Sequence, residues 1–137
     1  MKNQVKWLKI AFMAGIITDA LVIIPMLYAP MAKQVWGLDQ LNGTYFYAMG
    51  YGAALMAGWT ILLIWAYRKP LERRFLALLT VVVIVGLIIA EIAAVANGTI
   101  LISKMVRTWI LQSVLIGLFG FAYAITHQIT KENEAVL

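Results

Sequence analysis

Apolar residues form four long, nearly uninterrupted blocks along this chain. The blocks cover residues 8–30, 44–67, 75–96 and 105–126, so each has 22 to 24 residues. About 20 helical residues cross the ~30 Å hydrocarbon layer of a bilayer, and the strict alternation of a membrane β-strand is absent. Backbone groups in lipid must be paired within their own segment. The pattern therefore predicts an all-α, four-transmembrane-helix bundle that forms one domain over residues 1–137.

The composition agrees with this fold class and excludes several others. Hydrophobic residues make up 64% of the 137 residues and charged residues only 12%, against about 25% charged residues in a typical soluble domain. A soluble domain of this size could not bury so much apolar surface, and a disordered chain would be far more polar. The absence of cysteine excludes disulfides and thiolate metal sites. With His127 as the one histidine, we expect no haem, zinc or other cofactor.

Lysine and arginine gather on one side of the expected membrane. Eight of the eleven lie in the N-terminal segment, the loop after the second block and the C-terminal tail: Lys2, Lys6, Lys9, Arg68, Lys69, Arg73, Arg74 and Lys131. The other side has Lys33, Lys104 and Arg107. Because cytoplasmic loops collect positive charge, both termini are expected in the cytoplasm, in a prokaryotic cytoplasmic membrane. The net charge of +5 then requires no nucleic-acid partner, and the partner expected is the bilayer.

The connections between the blocks make three further predictions. Residues 68–74 form so short a loop that the second and third helices should pack as antiparallel neighbours. Residues 31–43 leave room for a short interfacial helix. Asn-Gly-Thr at 42–44 and 97–99 fits a glycosylation acceptor, but we expect turns, with a positive-φ glycine and a threonine cap.

Two acidic residues lie within the apolar blocks. Asp19 is about 17 Å into the first block, near the middle of the bilayer, and Glu91 is about 24 Å into the third, in the outer half. An ionised carboxylate there costs at least ~2.5 kcal/mol, so such residues usually face the bundle interior and are often functional. The alternative is that both are neutral acids that only hydrogen-bond neighbouring helices.

The polar residues within each block recur at spacings of three and four, which places them on one helix face. If these faces meet, they form an outward-facing polar pocket for a ligand or for protons. The residues expected to line it are Asp19, Tyr47, Tyr51, Trp59, Glu91, Arg107 and Gln112. The two acids would exchange a proton for the ligand, and the aromatic faces would attract a cation. Trp109, near a block end, is expected to anchor at the headgroup layer.

Small residues recur every fourth position in the second block, at Gly50, Ala54 and Gly58. Small residues at this spacing allow close approach of two helices in a membrane. The contact could lie within the bundle or between two copies of the chain, and we expect a homodimer through this face.

Three functions remain open on these residues. The first is a small integral membrane protein that binds or transports a lipophilic or cationic small molecule, or protons, through its carboxylates. The second is a non-catalytic accessory or assembly subunit of a larger membrane complex. The third is a small membrane enzyme acting on a lipid-like substrate, with Asp19 or Glu91 as the acid. No nucleophile elbow or phosphate-binding loop is present, so we expect a protein that is not an enzyme and assign no catalytic residue.

Overall fold

The computed structural model describes the backbone of residues 2–38 and 41–135 and the side chains of residues 5–38 and 41–128. Within these residues the chain forms five helices and no strand: α1 (Lys2–Leu27), α2 (Ala29–Trp36), α3 (Gly43–Arg68), α4 (Phe75–Ala96) and α5 (Ile102–Ala135). Four segments are long and apolar enough to cross a membrane: Val5–Leu27, Gly43–Arg68, Phe75–Ala96 and Ile102–Gln128. The prediction of an all-helical chain with four helices able to span a membrane is confirmed.

The break between α1 and α2 lies at Tyr28, two residues before the expected end of the first helix. Tyr28 has an extended backbone, with φ −119° and ψ 102°, and α2 begins at the next residue with Pro30 in its first turn. Proline fits the first turn because its missing N–H would have no intrahelical partner there. The expected short helix is therefore α2, and it begins slightly earlier than residue 31.

The central helix of the bundle is α1. It packs against α3 and against α5, and α5 packs in turn against α4, so the lateral order is α3, α1, α5, α4. The prediction that the second and third membrane helices, α3 and α4, pack as neighbours is wrong, because these two helices scarcely touch. A seven-residue loop reaches up to about 25 Å, well beyond the 8–10 Å between packed helices. A loop of this length therefore permits α3 and α4 to lie apart.

The tight core lies in the half of the bundle that contains the start of α1 and the α3–α4 loop, which we call the basic half. Its buried residues come from all four long helices: Leu8, Ala11, Phe12, Leu63, Ala66, Ala77, Ile84, Leu115, Phe119 and Ala122. Gly15 closes this core. A Cβ atom at Gly15 would lie 2.8 Å from Leu63 of α3 and 2.9 Å from Phe119 of α5, so three helices meet where only glycine leaves room.

The opposite half, which we call the α2 half, is packed more sparsely. No described residue of α4 beyond Ile84 is buried, and Ala53 is the one buried residue between 43 and 58 in α3. At the end of this half α2 packs against α1 and α5, where Ala32 and Met105 are buried. The bundle is therefore closed in its basic half and looser in its α2 half.

Cations and aromatic rings meet at the end of the basic half. The Arg73 guanidinium lies 3.4 Å from the centre of the Trp65 ring and also donates to the Trp65 carbonyl, and the Lys9 ammonium lies 5.5 Å from the centre of the Tyr67 ring. Such pairs suit a headgroup layer, where amphipathic side chains keep their polar ends in water. The side chains of Lys2 and Lys131, two of the cations counted from the sequence, lie outside the described residues.

Both Asn-Gly-Thr segments form helix boundaries. Gly98 follows α4 with φ +70°, a conformation that glycine adopts without strain, as the turn prediction requires. The segment at 42–44 differs from the prediction in two ways. Gly43 is the first residue of α3 and has no positive φ, and the Asn42 side chain, not that of Thr44, accepts a hydrogen bond from the Tyr45 N–H at 3.0 Å. Asparagine is as good an N-cap as threonine, and here it precedes the first helical residue.

Candidate functional site: a polar layer between the helices

A hydrogen bond between two polar side chains joins α4 to α5. The Gln112 amide donates through Nε2 to Oε1 of Glu91 at 3.0 Å. Gln112 is only 7% exposed, and its Oε1 is buried without a partner, as is Oε2 of Glu91. The Trp109 indole, one turn before Gln112, also lies beside the Glu91 carboxyl, although its Nε1–H forms no hydrogen bond of regular geometry. The spacing of three residues places both α5 side chains on one face toward Glu91.

Asp19 lies in α1, one turn beyond Gly15 and on the same helix face. The residue is partly buried, and its Oδ2 is buried with no hydrogen-bond partner. The contacts that flank it show which residue of α3 is level with it: Gly15 is opposite Leu63, and Met26 is opposite Gly52.

The helices α1 and α3 are antiparallel, and Gly15 lies opposite Leu63. Asp19 lies four residues after Gly15, and Trp59 lies four residues before Leu63, so Asp19 and Trp59 are level with each other. The Trp59 indole is half-buried against the core, and its Nε1 is also buried without a partner. An acid on α1 and an indole on α3 therefore share one depth in the bundle.

The same depth contains Gln112 on α5. The rings of Phe12 and Phe119 pack edge to face, with centroids 6.1 Å apart. Asp19 lies two turns after Phe12, and Gln112 lies two turns before Phe119, so the antiparallel helices bring both to one level. We call this group the polar layer: Asp19, Trp59, Glu91, Trp109 and Gln112.

The polar layer is incompletely hydrogen-bonded. Among the described residues six buried side-chain polar atoms lack a partner, and five belong to this layer; the sixth is the hydroxyl of Tyr45. Neither Asp19 nor Glu91 forms an ion pair with any described lysine or arginine. An unsatisfied buried polar group costs about 1–3 kcal/mol, and folded proteins contain few of them. Five such atoms make this group the least satisfied polar part of the described bundle.

Three of the seven expected site residues lie elsewhere. The hydroxyls of Tyr47 and Tyr51 lie 3.3 Å apart on the outer face of α3, where the two residues are 69% and 62% exposed. Arg107 is exposed and lies five residues before Gln112, which turns it toward a different face of α5. The structure thus brings Asp19, Trp59, Glu91 and Gln112 to one level and leaves the tyrosines and Arg107 outside it.

Sequence reasoning missed Trp109 as a member of this group. Its position near a block end suggested an interfacial anchor, yet it lies beside Glu91. The signal that could have found it is the spacing of three residues between Trp109 and Gln112, which places both on one face of the helix.

Three small residues of α3, Gly50, Ala54 and Gly58, face away from the rest of the bundle. A Cβ atom built on Gly50 or Gly58 would have no other atom within 4 Å, and Ala54 is exposed. Gly52, on another face, does approach α1, where its Cβ would lie 2.8 Å from Met26. The face of Gly50, Ala54 and Gly58 is therefore not used inside the bundle.

No three histidine or acidic side chains of the described residues come close enough to hold a metal ion. The chemistry of the layer is that of two carboxyl groups, one amide and two indole N–H groups. No protein-family model matches the chain, and no curated protein or solved structure matches it.

Proposed function

We propose that this protein is a multi-pass membrane protein that binds a lipophilic cation at the polar layer, in exchange for a proton. The observation that carries the proposal is that Asp19 and Glu91, from different helices, each have a buried carboxyl oxygen without a hydrogen-bond partner or a pairing cation. An ionised carboxylate in the bilayer is costly, so a proton or a bound cation must accompany each negative charge. A cation that replaces the proton keeps the layer neutral.

The indoles support a cationic ligand over a neutral one. Trp109 lies beside the Glu91 carboxyl, and Trp59 on α3 is level with Asp19 on α1. Tryptophan offers the best aromatic face for a cation, worth ~2 kcal/mol or more when desolvated. The sparse packing of the α2 half supports access for the lipophilic part of the ligand from that side.

The distribution of charge supports one orientation of this bundle. Lys6, Lys9 and the basic loop of residues 68–74 lie at the end of the basic half, which we propose faces the cytoplasm of a prokaryotic cell. The α2 half then faces outward, and the ligand reaches the polar layer from outside.

Native mass spectrometry of the gently extracted protein tests the proposal directly. The wild-type protein should retain a small-molecule adduct whose mass identifies the ligand, and Asp19→Asn and Glu91→Gln should each lose it. Glu72→Gln is the matched control, because Glu72 is an exposed acid that pairs with Lys69 at 3.1 Å, away from the layer. An adduct retained in both layer variants contradicts the proposal.

A second candidate function, assembly with a partner helix bundle, is favoured by the free face of Gly50, Ala54 and Gly58. In lipid, small residues at this spacing permit close packing of helices, and two identical copies of such a face are complementary to each other. We propose a second copy of this chain as the partner.

The mass of the intact assembly tests the homodimer in the same experiment. The wild-type protein should have the mass of two chains, and Gly50→Leu with Gly58→Leu should have the mass of one. A Cβ atom at either position would meet no other atom within 4 Å, so we expect the variant to remain folded. A single-chain mass for wild type, or two chains in the variant, contradicts a homodimer through this face.

A further inference from the structure

The unpaired acceptors of the polar layer come from three different helices. They are Oδ2 of Asp19 on α1, Oε2 of Glu91 on α4 and Oε1 of Gln112 on α5. The Gln112 amide donates through Nε2 to Glu91, which leaves its Oε1 as the free acceptor. Gln112 is more than nine-tenths buried, so its Oε1 cannot be satisfied by bulk water.

We infer that the cation bound here is a lipophilic primary amine, whose ammonium group donates its N–H groups to acceptors from α1, α4 and α5. This inference rests on the proposed function and narrows its ligand class. A primary ammonium has three N–H donors, matching the three unpaired oxygens in number. A quaternary ammonium of the same charge has none and would leave all three oxygens unpaired.

The exchange balances in charge and in atoms. Before binding, both acids are neutral and the amine is in water as R–NH₃⁺. On binding, the O–H bond of Glu91 breaks, its proton leaves to water, and the resulting carboxylate pairs with the ammonium through Oε2 while Oε1 keeps the hydrogen bond from Gln112. Asp19 keeps its proton on Oδ1, so its Oδ2 remains an acceptor. One proton is therefore released for each amine bound, and the layer stays neutral.

The test compares two decyl cations of equal charge, one with three N–H groups and the other with three methyl groups in their place. The full chain in lipid nanodiscs is titrated with decylammonium or decyltrimethylammonium by calorimetry, in two buffers of different ionisation enthalpy, and empty nanodiscs provide the partitioning blank. Decylammonium should bind at least tenfold more tightly than decyltrimethylammonium, because the latter leaves acceptors unpaired, and should release about one proton per ligand.

Each outcome has one meaning. Equal affinity for the two cations overturns the inference but leaves the proposed function standing, whereas binding of neither overturns both. Release of no proton overturns the exchange. Gln112→Leu should reduce the preference for decylammonium, while Gln34→Leu, at an exposed glutamine of α2, should not. The comparison of the two cations on the wild-type protein tests the inference even if the Gln112 variant does not fold.

Discussion

The basic half and the α2 half are built from similarly apolar helices, yet they are packed very differently. In the basic half, aromatic rings and small residues pack closely, and at Gly15 the packing leaves no room for a Cβ atom. In the α2 half few side chains are buried, and the polar layer at its base contains atoms without partners. Between helices in lipid the hydrophobic effect provides no driving force, so packing detail decides the contacts. Apolar composition enables a helix to span the membrane, whereas close packing of side chains decides which helices are neighbours.

The largest expected effect comes from breaking the close fit. Gly15→Leu should lower the free energy of unfolding by about 2–3 kcal/mol, since a side chain there overlaps Leu63 and Phe119. Unfolding in mixed detergent micelles measures the loss. Gly86→Leu is the matched control, because a Cβ at Gly86 has no neighbour within 4 Å. Equal losses in the two variants would refute the contrast between tight and open positions.

A smaller effect is expected where the polar layer joins α4 to α5. Gln112→Leu removes the hydrogen bond to Glu91, and interhelical hydrogen bonds in membranes are worth about 0.6 kcal/mol on average and up to about 1.7 kcal/mol. We expect a loss of about 1 kcal/mol in the same unfolding assay. Changing Glu91 and Gln112 to leucine together should recover much of it, because no polar atom is then left unpaired. This account is contradicted if the double variant loses more unfolding free energy than the two single variants lose together.

The smallest effect is expected at an open glycine. Gly86→Ala should leave the free energy of unfolding unchanged or raise it by up to about 1 kcal/mol, the helix-propensity difference between the two residues. The position is exposed and meets no neighbouring helix, so no packing is disturbed. A measurable destabilisation would mean that α4 packs more closely there than the structure shows.

The sequence was sufficient to predict the spans, because a bilayer imposes a length and an apolar composition on each segment. It was also sufficient to single out Asp19, Glu91 and Gln112, since polar groups in lipid are costly wherever they lie. It could not show which helices are neighbours. Several faces of α3 and α4 are apolar enough for lipid, so nothing in their patterns revealed that α1 and α5 separate them.

The position of the tyrosines was unpredictable for the same reason. Spacing places Tyr47 and Tyr51 on one face of α3, but only the packing of α3 against α1 turns that face outward. Register was also invisible, because it depends on contacts such as Gly15 with Leu63 and Phe12 with Phe119. Only these contacts place Asp19 level with Trp59 and Gln112.

The contact at Gly15 gives the molecule a direction. One turn from Asp19, toward the basic half, Leu63 and Phe119 press against the glycine and close the bundle on that side. Any passage from the polar layer to the end of the basic half would therefore require α1, α3 and α5 to separate at a contact that leaves no room for a Cβ atom.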